Sequence, residues 1–244
     1  MLAATAHRPW PLPRGPWIMV QSWHDLLFAH WAVPEAVVRP RIPPALSVDT
    51  FDGRAWVGVI PFRLTGVRAR GLPPLPWLSA FPEVNVRTYV TADGKPGIWF
   101  FSLDAASALV VRAARRTYRL PYYHARMSIV PEAAGVRYAS RRTHRGASPA
   151  ELLGAYGPTG AVSRAEPGSL AHFLTERYCL YTTGPEGGLR RAEIHHAPWP
   201  LQPAAVTFER NTMAAAAGIR LPDVAPVLHF ARRLDALVWP LGRA

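Results

Sequence analysis

FPEVNVRTYVTADGKPGIWFFSLDAASALVVRAARRTYRLPYYHA, residues 81–125, decides how the chain is read. Its opening alternates: Glu83, Asn85, Arg87 and Tyr89 share one face of an extended strand, and Val84, Val86, Thr88 and Val90 the other. The turn signal ADGKPG separates Val84–Val90 from Ile98–Leu103 and predicts a hairpin. Ala105 to Tyr118 reads as a helix with Asp104 or Ser107 near its start, and Pro121 ends it. Tyr122 and Tyr123 follow at once, facing different sides if the chain is extended.

Outward from that stretch the text is rich in short strands. Ser22 to Trp31 is a strand or a short helix; as a strand it places His24, Leu26, Phe28 and His30 on one face. The two histidines would then stand about 20 Å apart, too far to share a metal. A helical turn is expected at Pro34–Arg39 and a strand at Ala55–Leu64, after the turn signal Asp52-Gly53. Arg126–Val130 and Val136–Arg142 flank PEAAG as a second hairpin, and Phe173–Tyr181 and Leu189–His196 flank TTGPEGG as a third. Thr143–Gly168 reads as a long polar excursion, Phe208–Ala217 as a helix and His229–Trp239 as a closing strand. Four prolines between Pro9 and Pro16 make residues 1–16 an irregular arm. The expected fold is mostly β with a few helices (α+β), one antiparallel domain over residues 17–244.

Composition excludes several function classes. The formal net charge is +12, but 27 of the 28 basic residues are arginine and they are scattered. A nucleic-acid surface concentrates mixed Lys and Arg with exposed aromatics, so no nucleic-acid partner is expected. No run approaches the roughly 18 apolar residues of a membrane span, and prolines interrupt the N-terminal segment where a secretory signal needs apolar continuity. Cys179 is the sole cysteine, which suits a reducing, cytoplasmic setting, and it sits in an apolar run as a small core residue. His195 and His196 are adjacent and point apart on a strand; no His/Cys spacing fits zinc, so no metal site is expected. No Gly-rich phosphate loop or Gly-x-Ser-x-Gly elbow occurs, and no cofactor is implied.

The polar face of residues 83–89 has two readings. An ordinary sheet would turn it to water, which alternation alone favours. A barrel strand would turn it into an internal pocket, where Glu83 and Arg87 would pair or bind a ligand. For Tyr122 and Tyr123, one phenol in a pocket and one packing residue is the chemically active reading; two packing residues is the plain one.

The segments WHDLLFAHW, FPEVNVRTYV, GIWFFSLDA, RLPYYHA, HFLTERYCLY, EIHHAPWPLQPA and LDALVW, in this order over Trp17–Arg243, resemble the YqjF-like family of uncharacterised bacterial proteins. That family is similar, distantly, to acetoacetate decarboxylase. The resemblance implies a cone-shaped, mostly antiparallel β barrel around a small-molecule cavity, and it turns the Glu83 face inward. By this resemblance Tyr122 and Tyr123 would fill the positions of the reactive lysine pair, Glu83 would correspond to an acidic pocket residue, Arg115 to the arginine upstream of the lysines, and His24 to a substrate-binding arginine.

Lys95, the chain's one lysine, falls in the ADGKPG turn, where water would keep its amine charged. A phenol cannot form the iminium of Schiff-base decarboxylation. The expectation is a small-molecule-binding barrel, a binder or an enzyme on small oxo- or hydroxy-acids. Glu83, Tyr122 and Tyr123 are its catalytic candidates, and His24, Asn85, Arg87 and Arg115 its substrate-binding candidates. The alternative is a non-catalytic structural or protein-interaction domain with a degenerate cavity. The sequence assigns no oligomeric state.

Overall fold

The computed structural model describes residues 2–75 and 79–244. Its elements in chain order are β1 (Met19–Val33), α1 (Glu35–Val38), β2 (Ser47–Val48), β3 (Ala55–Ala69), β4 (Phe81–Ala92), β5 (Lys95–Ala105), α2 (Ala108–Thr117), β6 (Tyr122–Glu132), β7 (Gly135–Arg142) and β8 (Glu151–Pro158). There follow α3 (Leu170–Thr175), β9 (Cys179–Thr183), β10 (Leu189–His196), β11 (Ala204–Asn211), α4 (Met213–Ala216), β12 (Val227–Val238) and β13 (Gly242–Arg243).

The pairings β5-β9-β10-β12-β1-β3-β4 return to β5 through the β4–β5 hairpin, so these strands form a closed circuit. All of its pairs are antiparallel except β5–β9. The second edge of β5 is divided: Ile98 and Trp99 pair with β9, whereas Leu103–Ala105 pair in parallel with β6. From β6 the sheet continues as β7, β8 and β11, and this extension folds back over the circuit. Tyr138, Leu152 and Tyr156 of the extension pack with Leu27, Val57, Val84 and Val86 of β1, β3 and β4 in one buried cluster.

Alternation on β4 is thereby used on both faces. Val84, Val86 and Val90 are fully buried between circuit and extension, while Glu83, Asn85, Arg87 and Tyr89 are buried towards the interior of the circuit. A strand buried on both sides excludes the solvent-facing reading of its polar residues. The β4–β5 connection is a two-residue turn, with Asp93 and Gly94 at φ of 50° and 70°. Left-handed backbone at both central positions suits the twist of a hairpin, and Asp and Gly tolerate it.

Several expected elements differ. Phe208–Ala217 is not a helix: Ala204–Asn211 is an edge strand paired with β8, and only Met213–Ala216 is helical before Gly218 at φ 73°. The supposed excursion Thr143–Gly168 contains β8, whose Gly154 and Gly157 lie so close to neighbouring backbone that a Cβ would meet carbonyl oxygens at 2.4 and 1.9 Å. Phe173–Tyr181 divides into the end of α3 and the start of β9, so the third hairpin begins at Cys179. The helix after β5 starts at Ala108, because Ser107 caps it by accepting from the Val110 backbone N–H.

Residues 2–18 carry no helix or strand. This arm is pinned to β10, where the guanidinium of Arg8 bonds Glu193 (3.1 Å) and the carbonyl of Ile194 (2.6 Å), and Trp10 Nε1 donates to Glu193 (2.7 Å). Lys95 opens β5 rather than occupying the turn. Its side chain is 33% exposed, 4.0 Å from Glu193 and over the ring of Trp10, so it is half-shielded and not free in water. Among the described residues no helix is long and apolar enough to cross a membrane.

Candidate functional site

A cavity of about 290 Å³ lies inside the circuit, bounded by β1, β3, β4, β5, β9, β10 and β12 and by one side of α2. Of the predicted site residues, Glu83, Asn85, Arg87 and Tyr122 line it. Tyr123, His24 and Arg115 do not.

Glu83 is 3% exposed, and its Oε2 accepts from the Tyr122 hydroxyl at 2.9 Å. Strand β4 supplies the acid and the first residue of β6 the phenol, which reaches the cavity because Leu103 pairs with Tyr122 at the divided edge of β5. Burial drives the Glu83 carboxyl up to about 8; the Tyr122 bond opposes this and Asp104 adds to it. The Tyr122 phenol is pushed far above its ordinary range by burial and then by Glu83, so it acts as a neutral donor. At neutral pH the pair is therefore a protonated acid hydrogen-bonded to a phenol.

Arg87 is held from beneath by α3. Its Nη2 donates to the carbonyl of Leu174 and to the Tyr89 hydroxyl, both at 3.2 Å. Tyr89 donates its own proton to the Leu174 carbonyl at 2.6 Å and takes a bond from His30 Nε2, also 2.6 Å. His30 is fully buried and its basicity is well below normal, from burial first and then from Arg87 and His229, so it stays neutral beside the guanidinium. Gly58 makes room for that imidazole: a Cβ there would lie 2.8 Å from His30 Nε2. Among the described residues no carboxylate pairs with Arg87, and its Nε and the Oδ1 of Asn85 are buried without a partner. Glu83 and Arg87 are thus neither turned to solvent nor paired with each other.

The excluded residues have other partners. Tyr123 lies under the guanidinium of Arg142, 4.0 Å from its ring centre, and edge-on to His144. Arg142 in turn grips the fully buried Asp104 through two 2.7 Å bonds. Arg115 is exposed and donates to the carbonyl of Tyr122 at 2.7 Å. His24 bonds Thr65 at 2.8 Å. The reason is a bulge: β1 slips by one residue against β3 between His24 and Ala29, and Asp25 has φ 49°. Trp23 and Leu26 therefore both enter the cavity, and His24 is turned to the opposite face. Residues that the sequence reading did not assign, Gln21, Trp23, Tyr118 and Trp199, complete the wall. Trp199 lies within the EIHHAPWPLQPA signature, but nothing in one sequence places that loop beside β1.

A family model described as an uncharacterized conserved protein matches residues 20–235. The chain belongs to this family, DUF2071. A DUF2071 relative, the uncharacterized protein YqjF of Bacillus subtilis (strain 168), is 47% identical over 232 residues, covering 95% of each chain. The fold is that of acetoacetate decarboxylase. A crystal structure of that enzyme from Legionella pneumophila aligns over 97% of this chain and 92% of its own with a TM-score of 0.58 at 14% identity. The enduracididine biosynthesis enzyme MppR, complexed with a condensation product of pyruvate and imidazole 4-carboxaldehyde, aligns over 94% and 90% with a TM-score of 0.63 at 12% identity. MppR complexed with pyruvate gives 0.59 at 11% identity over 96% and 93%.

Proposed function

We propose that this DUF2071 protein binds a small carboxylate in the circuit cavity and uses Glu83, held by the Tyr122 hydroxyl, as a neutral hydrogen-bond donor and general acid on an adjacent oxygen function. One observation carries the reading: Arg87 is a buried guanidinium with no carboxylate partner among the described residues, on a wall whose one carboxyl group, Glu83, holds its proton at neutral pH. A buried cation without a counter-ion is costly, and a carboxylate ligand would supply one with charge-assisted hydrogen bonds. Asn85, between the two on the same face, offers its amide to the same ligand.

A 2-oxo or 2-hydroxy acid fits this set, with its carboxylate on Arg87 and its second oxygen on the protonated Glu83, whose Oε2 is held by Tyr122. A protonated Glu83 would polarise the carbonyl or deliver its proton, and the Tyr122 hydroxyl, already donating to Glu83, would stabilise the carboxylate left behind. Schiff-base chemistry lies outside the reading, because Lys95 is not on the cavity wall.

The test is titration calorimetry with pyruvate, with which the structural neighbour MppR is complexed. Wild type should bind, Arg87→Met should weaken binding by at least about tenfold, and Glu83→Gln with Tyr122→Phe by less. Equal affinity in all of these variants removes the residues from the site.

A further inference from the structure

The cavity is much larger than its polar end requires. At roughly 30 Å³ per water, about 290 Å³ is the room of about ten waters. A three-carbon oxo-acid has six heavy atoms and fills the lesser part. Beyond Glu83, Asn85, Arg87 and Tyr122 the wall is predominantly apolar, and no other side chain on it carries a formal charge. One portion is aromatic: Trp23 stacks on Trp199 at 5.5 Å and 13°, and Phe62 meets Trp23 edge-on at 6.5 Å. Trp199 Nε1 is buried there with no partner. Apolar walls around unfilled space lose dispersion contacts, and a rigid ring restores them without the entropy cost of a flexible chain.

We propose that the ligand is a carboxylate bearing a rigid apolar body about the size of one aromatic ring. Its carboxylate lies on Arg87 and its ring against Trp23, Phe62 and Trp199. The inference rests on the carboxylate reading of Arg87 and adds the body that the remaining wall selects.

Three probes separate the parts: pyruvate, phenylpyruvate, and phenylacetone, which keeps the ring and carbonyl but lacks the carboxylate. Binding is followed by calorimetry and by tryptophan fluorescence. Phenylpyruvate should bind wild type at least about tenfold tighter than pyruvate, the scale expected for burying a ring. Val110→Phe, on the cavity side of α2 and packed against the cluster that holds Phe62 and Trp199, fills the apolar end from a half-buried helix position that should still fold. It should abolish the phenylpyruvate advantage and leave pyruvate binding unchanged. Equal binding of pyruvate and phenylpyruvate to wild type, an advantage that survives Val110→Phe, or no phenylpyruvate binding each overturns the inference. Phenylacetone binding as tightly as phenylpyruvate would sink the carboxylate reading instead, leaving an apolar subsite without an anion anchor.

Discussion

The hydroxyl of Tyr122 donates to Oε2 of Glu83 at 2.9 Å, joining β6 to β4 across the mouth of the divided β5 edge. A carboxyl buried in this way holds its proton to about pH 8, whereas the unfolded chain releases it near the ordinary value of 4.5. Between those values the native state binds more protons than the unfolded state, so stability falls as pH rises. Below pH 4.5 this contribution is fully present; above 8 it has gone. Glu83→Gln should flatten the slope between pH 4.5 and 8 and be more stable than wild type at pH 8 by on the order of a few kcal/mol. Urea unfolding of both proteins at pH 5, 6.5 and 8 checks it, and parallel slopes refute it.

Arg87→Met should separate binding from stability. The Leu174 carbonyl keeps its 2.6 Å bond from Tyr89 when the guanidinium is removed, and an unpaired buried charge disappears. Unfolding free energy should change by no more than about 1 kcal/mol in the unfavourable direction, whereas carboxylate binding is lost. A collapse in stability would recast Arg87 as a structural residue.

Neighbouring tyrosines should respond differently. Tyr122→Phe strips Glu83 of its donor, so ligand affinity and the pH dependence should both change. Tyr123→Phe keeps the ring beneath Arg142 and should leave both unaltered. Asp104→Ala, by contrast, leaves Arg142 buried without its carboxylate and should cost about 3–5 kcal/mol. Thermal melts and calorimetry on the three variants read out the distinction.

Lys95 sits beside Glu193 and Trp10, away from the cavity wall. Borohydride reduction in the presence of acetoacetate should therefore trap no adduct at Lys95, by intact-mass and peptide mass spectrometry, and Lys95→Arg should leave ligand binding unchanged. A trapped adduct would reinstate the lysine chemistry.

How much of this was legible in the sequence varies by residue. The inward turn of Glu83, Asn85 and Arg87 was not available from alternation, which describes a half-exposed strand equally well. The β7–β8–β11 extension covers the valine face, and two of its strands read as loop or helix because glycine at 154 and 157 and alanine at 214–217 mask pleated and turn geometry. His24 shows the limit most clearly. Period two put it with His30, but one extra residue at Asp25 reverses the parity of everything before it.

By itself the sequence determined the strand-rich class, the β4–β5 hairpin, the capped helix that follows it and the presence of a single lysine, Lys95, in the chain. Those are local matters of period, turn chemistry and residue identity. Tertiary structure alone decided which tyrosine faces Glu83, that Arg87 is buried without a carboxylate partner among the described residues, and that Trp23 and Trp199 share one wall. These depend on closing a circuit of strands distant in the chain. Burial, and with it the proton held on Glu83, exists only once that circuit and its extension have shut out water.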